Sequence, residues 1–384
     1  MDPKRETDEL VNFAGRTAGT DAERRASVHL RERLREMGRD ADLEAIEVRP
    51  RFGLVHTFHA LLAIVGSVVA VSSPVTGAAL VLAAGLLALL DLTGILAVTR
   101  RFTGRRASQN VFSPEDGGRA GTLILVAHYD VGREAPAFRI ARRVLRAPWA
   151  VLLGAIGALL VCCGLRALGL EGDGLTAAQF APTVLLILLV PALADLELSD
   201  AGDGEADNAA GVATVLALAE DLGGTLRSFD VWVVLTGSQK PFALGMRAWL
   251  RRHRGQLDRE RAAVINVDGV GSGPVRFARR EGPLLARRAH PQLLRICEEI
   301  AEDDGDGGAY DARPNAARER TDASVARARK LPAITLSCEG QEVTAEGLER
   351  MRAFCRDLIE RLDAEVAPTL TEREPEPEAE GARG

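Results

Sequence analysis

Hydrophobic and polar positions are unevenly mixed along this chain, with long apolar blocks alternating with strongly charged ones. Residues 52–73, 147–165 and 174–194 contain no Asp, Glu, Lys or Arg, and residues 75–98 contain only Asp91. Each block approaches or reaches the roughly 20 residues that a helix needs to cross a bilayer. Buried core helices are the alternative, but four blocks this long, apolar on every face, fit membrane helices better. They come in pairs. Ser73-Pro74 breaks the first pair and the segment 166–173 turns the second, which predicts two helical hairpins, at 52–98 and 147–194. Asp91 is costly inside such a helix unless it is paired or close to the interface, so the expectation is snorkelling or a partner. His56 and His59, one turn apart, read as interfacial rather than as a polar or metal-holding spot.

The remainder has a different rhythm. Thr20 and Glu23 form a capping-box pattern that opens an amphipathic helix running to about Met37 and stopping at Gly38. Strand-like runs follow at 43–48, 109–113, 122–127, 231–236, 263–267 and 333–337, with helical patterns at about 208–222, 241–253, 288–303 and 344–362. Apolar strands alternating with helices imply an α/β fold with a mostly parallel sheet flanked by helices on both faces. The domain plan is one α/β unit made from residues 1–50, 107–135 and 200–365, interrupted by the two hairpins. A tail at 368–384, rich in Glu and Pro, reads as disordered.

Charge adds orientation. Arg49, Arg51, Arg100, Arg101, Arg105, Arg106, Arg139, Arg142, Arg143 and Arg146 flank the hairpins on the α/β side, whereas the turns hold only Arg166 beside Glu171 and Asp173. The positive-inside rule then puts the hairpin tips outside and the α/β unit in the cytoplasm, making the chain a multi-pass integral membrane protein whose first partner is the lipid bilayer. The charged segment 1–9 does not look like a cleavable signal peptide. The five cysteines form no Cys-x-x-Cys pair, which argues against a thiolate zinc knuckle or a disulfide framework. A net charge of −6 argues against general nucleic-acid binding.

Candidate chemistry gathers at strand ends, where open α/β sheets carry their sites. His128-Tyr129-Asp130 follows the run 122–127, Glu205-Ala206-Asp207-Asn208 opens a helix, and Asp268 follows 263–267. Singly, each has a structural explanation: His128 as a satisfied core histidine, Asp207 as a helix cap, Asp268 as a brace for the Gly269 turn. Together, an imidazole and two carboxylates suit a divalent metal such as zinc, and Asp130 is placed to orient the histidine.

The order of these motifs resembles metallopeptidase family 28, the zinc aminopeptidases and their relatives. Ala127 to Asp130 matches the family's Ala-His-Tyr-Asp, Gly204 to Gly211 approximates its Gly-Ala-Asp-Asp-Asn-Ala-Ser-Gly, and Asn266-Val267-Asp268 stands for its Asn-Leu-Asp. The resemblance implies a zinc-exopeptidase-like three-layer sandwich, with His128, Asp207 and Asp268 as ligands of one zinc and Asp207 as the bridge to a second. It also implies a Glu-Glu pair, general base then metal ligand, and a late histidine. Here the pair is Gln239-Lys240. Gln239 cannot accept a proton, and the ammonium of Lys240 repels a cation instead of binding it. The last histidine is His290, and the segment 335–341 offers Cys338 and Glu339 instead. Losing the base alone costs about 10²–10⁴ in rate. The expectation is therefore one zinc, no second zinc, Lys240 near Asp207 in its place, and a binding or regulatory module for a peptide or protein ligand in place of a working aminopeptidase. A single-metal peptidase or amidohydrolase is the alternative.

Overall fold

The computed structural model describes residues 1–371 apart from Arg146, Pro241, 283–285, Asp306, Arg318 and Glu319; the side chains of Asp207, Ala317 and 367–371 also lie outside the description. The chain begins with α1 (Pro3–Val11), α2 (Asp21–Glu36) and β1 (Asp42–Val48), then makes a first helical hairpin, α3 (Phe52–Val69) and α4 (Pro74–Thr93). Strands β2 (Arg106–Ser113) and β3 (Gly121–His128) lead to α5 (Pro136–Leu145) and a second hairpin, α6 (Pro148–Ala167) and α7 (Asp173–Leu198). After α8 (Ala210–Leu222) come β4 (Phe229–Thr236), α9 (Leu244–Arg252), β5 (Ala262–Val267), β6 (Val275–Glu281) and β7 (Arg287–Arg288). The chain closes with α10 (Pro291–Asp304), β8 (Arg313–Ala317), α11 (Asp322–Ala328), β9 (Ala333–Cys338) and α12 (Ala345–Thr371). Most of the expected tail, residues 372–384, lies outside the described residues.

The strands form one sheet in the order β1-β2-β4-β3-β5-β9-β6-β7, with β8 paired to β6. The middle, β4-β3-β5-β9, is parallel, but β1–β2, β2–β4, β6–β9 and β6–β7 pair antiparallel. The sheet is therefore mixed, which corrects the mostly parallel expectation. The reason is compositional. β6 (Val-Arg-Phe-Ala-Arg-Arg-Glu), which lies between β9 and the β7/β8 side, and β8 (Arg-Pro-Asn-Ala-Ala) carry charges that hide them from an apolar scan, whereas β3 is buried along nearly its whole length and reads clearly. Helix α2 starts as its pattern predicts, with Thr20 Oγ1 accepting from the Glu23 N–H at 3.2 Å. Glu23 itself turns inward to the sheet.

The four hairpin helices pack as a bundle, and each is long and apolar enough to cross a membrane. A Cβ on Gly77 would collide with Ala70, so α3 and α4 meet backbone to backbone near their turn. Every large hydrophobic side chain left exposed among the described residues lies between Leu54 and Leu198, and none belongs to the sheet or to the helices after α7. Exposed apolar area of that extent marks an interaction surface, of a membrane or of another protein.

Inside the bundle, Asp91 has its partner. The Arg100 guanidinium donates two hydrogen bonds to the carboxylate at 2.7 and 2.9 Å, and His56 Nε2 lies 3.1 Å from Oδ2. His56 and His59 are both fully buried in the first turns of α3; His59 Nε2 lies 2.9 Å from Thr99 Oγ1. Removing one member of a buried ion pair costs about 3–5 kcal/mol, because the other charge is left unmatched. Asp91→Leu should therefore destabilise the detergent-solubilised protein by that order, and Asp91→Leu with Arg100→Leu should regain most of the loss in thermal or denaturant unfolding. A double variant no more stable than the single one would contradict the pairing.

Candidate metal centre

The candidate residues converge because three parallel strands end together. His128 terminates β3, Gln239 follows β4, and Asp268 directly follows β5. Beside them, residues 205–209 form a single wide turn in which the Ala209 N–H reaches back five residues to the Gly204 carbonyl at 3.0 Å. Gly204 sits at φ +69°, and a Cβ there would come within 2.5 Å of Asn208 and Val131. Gly211 lets α8 approach β5, since a Cβ would lie 2.8 Å from the Val267 carbonyl. The Val270 N–H donates to the Ala206 carbonyl at 2.8 Å, stitching the turn that carries Asp207 to the loop that carries Asp268. The side chain of Asp207, and with it the expected approach of Lys240 to that carboxylate, lies outside the description.

His128 is buried. Its Nδ1 lies 3.0 Å from the Asp130 carbonyl, to which its N–H donates, and its Nε2 lies 3.3 Å from Asp268 Oδ1. Burial opposes a charge on the ring, but hydrogen bonding to Asp130 and Asp268, with the charge of Asp268, raises its pKa to about 10 even though Lys240 works against it. Two ligands of a tetrahedral zinc, each about 2.0–2.1 Å from the ion, stand about 3.3 Å apart. The spacing of Nε2 and Oδ1 fits that edge, and the Asp130 carbonyl fixes the tautomer that leaves Nε2 as the donor to a metal.

Asp130 does more than orient the histidine. Fully buried, its carboxylate accepts the backbone N–H of Gln239 at 2.8 Å and of Lys240 at 3.1 Å. The Gln239 side chain turns away from Asp130: Nε2 donates to the Arg320 carbonyl at 3.1 Å, while Oε1 is buried without a hydrogen-bond partner. Ser238, held at φ +51°, completes a tight turn that aims the segment at this site. Neither an amide nor a protonated amine is a zinc ligand. Glu339 is exposed and paired with Arg276 at 2.7 Å, and burial pushes the Cys338 thiol up to about 11.

Four further residues are prominent in the structure and silent in the sequence. Arg16, fully buried, donates to the Tyr129 carbonyl at 2.9 Å and to Asn208 Oδ1 at 2.8 Å, while Asn208 donates to the Asp130 carbonyl at 2.9 Å. One guanidinium thus locks the first motif to the second. Glu23 accepts from Gly19, Ser108 and Ser238 at 2.7, 2.7 and 3.0 Å; burial, and then the charge of Asp130, push it up to about 8. Asp322, which accepts from Thr236 at 2.5 Å, is pushed up to about 7 chiefly by burial. Arg320 donates to the Leu92 carbonyl at 3.0 Å, at the foot of α4. Glu23 read only as a helix cap, and the other three stand in no motif.

The site also touches the hairpin bundle. Phe242, two residues past Lys240, lies with its ring centroid 3.8 Å from the Arg100 guanidinium and 5.8 Å from the Phe52 ring. The segment just after Gln239 and Lys240 therefore lies against the arginine that pairs with Asp91.

Comparison with known proteins places this geometry. Residues 190–354 match the model of peptidase family M28. No curated protein matches the chain. Among solved structures, it is similar to the glutaminyl cyclase of Fimbriiglobus ruber at 14% identity and TM-score 0.54, over 94% of this chain and 95% of that one. It is similar to a leucine aminopeptidase precursor from Bacteroides thetaiotaomicron VPI-5482 at 12% identity and TM-score 0.53, over 93% and 95%. It is also similar to the glutaminyl cyclase of an Acidobacteriales bacterium at 12% identity and TM-score 0.53, over 95% and 94%. At these identities the likeness carries the fold alone. The matched segment runs from the end of α7 through β9 into α12, and over it the chain is similar to peptidase family M28.

Proposed function

We propose that this chain is a membrane-anchored member of the family in which peptide hydrolysis is lost or strongly impaired and the α/β unit is kept as a module that binds a peptide or protein ligand at the membrane face. The observation that carries this reading is the placement of Gln239 and Lys240. Their backbone N–H groups are gripped by Asp130 at 2.8 and 3.1 Å just past the end of β4, where the resemblance puts base and ligand, and neither side chain has the chemistry for those roles. An amide holds a water but takes no proton from it, and a protonated amine offers no lone pair to a metal.

His128 and Asp268, with Asp207 by resemblance, would hold one zinc, which when bound supplies a Lewis acid and a charge for a carbonyl oxygen. Asp130 orients His128, Gln239 presents its amide, and Lys240 contributes a fixed positive charge in place of the second ion. The arginines flanking the hairpins on the α/β side support a cytoplasmic position for that unit. A second reading, a single-metal hydrolase acting on a peptide or other amide, is supported by the 3.3 Å spacing of His128 and Asp268, which suits two ligands of one zinc.

Two experiments decide. Metal analysis of the purified full-length protein should find no more than one zinc per chain, lost on His128→Ala or Asp268→Ala, with aminopeptidase turnover near background; two zinc ions and measurable turnover would overturn the proposal. Stoichiometric zinc with slow turnover that disappears in His128→Ala would select the single-metal hydrolase. Separately, Lys240→Glu should raise metal content, because it removes a repelling charge and adds a carboxylate. Unchanged metal content in that variant would exclude charge substitution by Lys240.

A further inference from the structure

Helix α5 is unlike the helices around it. It joins the first motif to the second hairpin, its charged residues are all arginines, and none of its residues is fully buried. At 3.6 residues per turn its positions fall into three sectors. Ala137, Phe138, Ala141 and Leu145 are half-buried against the hairpin bundle, with the Phe138 ring 5.3 Å from that of Trp149 on α6. The N–H groups of Ala137 and Phe138 donate to Asp195 of α7 at 2.7 and 3.4 Å, which fixes the start of the helix to the second hairpin. Ile140 and Val144, one turn apart, are 63% and 73% exposed. Arg139, Arg142 and Arg143 form the opposite, exposed side, with Arg139 also donating to the Glu134 carbonyl at 2.7 Å.

Two exposed β-branched side chains beside an arginine face are hard to place in water, but they suit the boundary of a bilayer. Such a helix lies flat, with its apolar edge among acyl chains and its cations at headgroup level. The chain leaves no freedom about where this happens, because α5 ends at Leu145 and α6, long and apolar enough to span, begins at Pro148. We propose that α5 is an interfacial helix that binds the headgroups of anionic lipids in the leaflet next to the α/β unit, with Ile140 and Val144 inserted and Arg139, Arg142 and Arg143 as the headgroup contacts. This rests on the membrane reading of the hairpins and adds a lipid class and a binding element to it. Because α5 starts a few residues after Asp130, bound lipid also fixes the strand-end loop that carries the metal motif.

The test is hydrogen–deuterium exchange of the full-length protein in nanodiscs of phosphatidylcholine alone or mixed with phosphatidylglycerol. Amides of 136–145 should exchange about 10-fold more slowly in the anionic discs, a difference that shrinks as salt is raised. The triple variant Arg139→Gln/Arg142→Gln/Arg143→Gln should lose the difference while its α6 and α7 amides stay protected. Protection of α6 and α7 in both kinds of disc reports on the membrane reading independently, so its failure is distinguishable from failure of the lipid proposal. Equal exchange of 136–145 in the two discs, persistence of the difference in the triple variant, or equal protection by inorganic phosphate in neutral discs would each overturn the proposal.

Discussion

The site depends on one carboxylate that touches no substrate. Asp130 lies just past the end of β3 and accepts two backbone N–H groups from the turn after β4, while the carbonyl of the same residue receives His128 and Asn208. Charge-assisted bonds of this kind are short and strong, and a buried carboxylate without them would be intolerable. Their donors are peptide groups. The turn is therefore held whatever side chains it carries, Gln239 and Lys240 included. Arg16 repeats the logic from the other side by binding a carbonyl and the Asn208 amide instead of a reactive group.

A second constraint ties the site to the bundle. Both hairpins are inserted in the α/β unit, and the second interrupts it between the two ligand motifs, so the chain must climb the bundle and return before Asp207 is placed. Contacts close the circuit: Gln239 donates to the Arg320 carbonyl, Arg320 to the Leu92 carbonyl, and Arg100 holds Asp91 while lying against Phe242. A desolvated cation over an aromatic ring contributes about 2 kcal/mol. The same arginine thus neutralises a charge in the bundle and seats the turn of the candidate site, so a change in one is felt in the other.

What the sequence revealed, and what it hid, divides along physical lines. Apolar runs and short motifs are local signals, so the four hairpin helices, the central strands and the positions of His128, Asp130, Gln239, Lys240 and Asp268 were legible. Pairings across distance were not. Nothing near Asp91 announces Arg100, because their contact depends on how the chain leaves α4. Arg16, Glu23 and Asp322 owe their importance to burial beside other polar groups, and burial of a charged residue has no local pattern. Strands β6 and β8 were missed because charged residues interrupt their apolar runs, and α5 was read only as a run of arginines because its apolar residues are at most half-buried.

Electrostatics explains why the substitution at the pair is coherent. Asp130, Asp268 and Asp322 all act on the same buried histidine, and Glu23 acts on Asp130. Four carboxyl groups at that density cannot all be ionised without cations among them. A two-metal site supplies those cations as ions. Here positive groups are built into the chain, Arg16 behind the first motif and Lys240 at the strand end, while burial keeps Glu23 and Asp322 protonated more readily than ordinary carboxyls. Cations supplied by the chain let a dense group of carboxyls keep its shape.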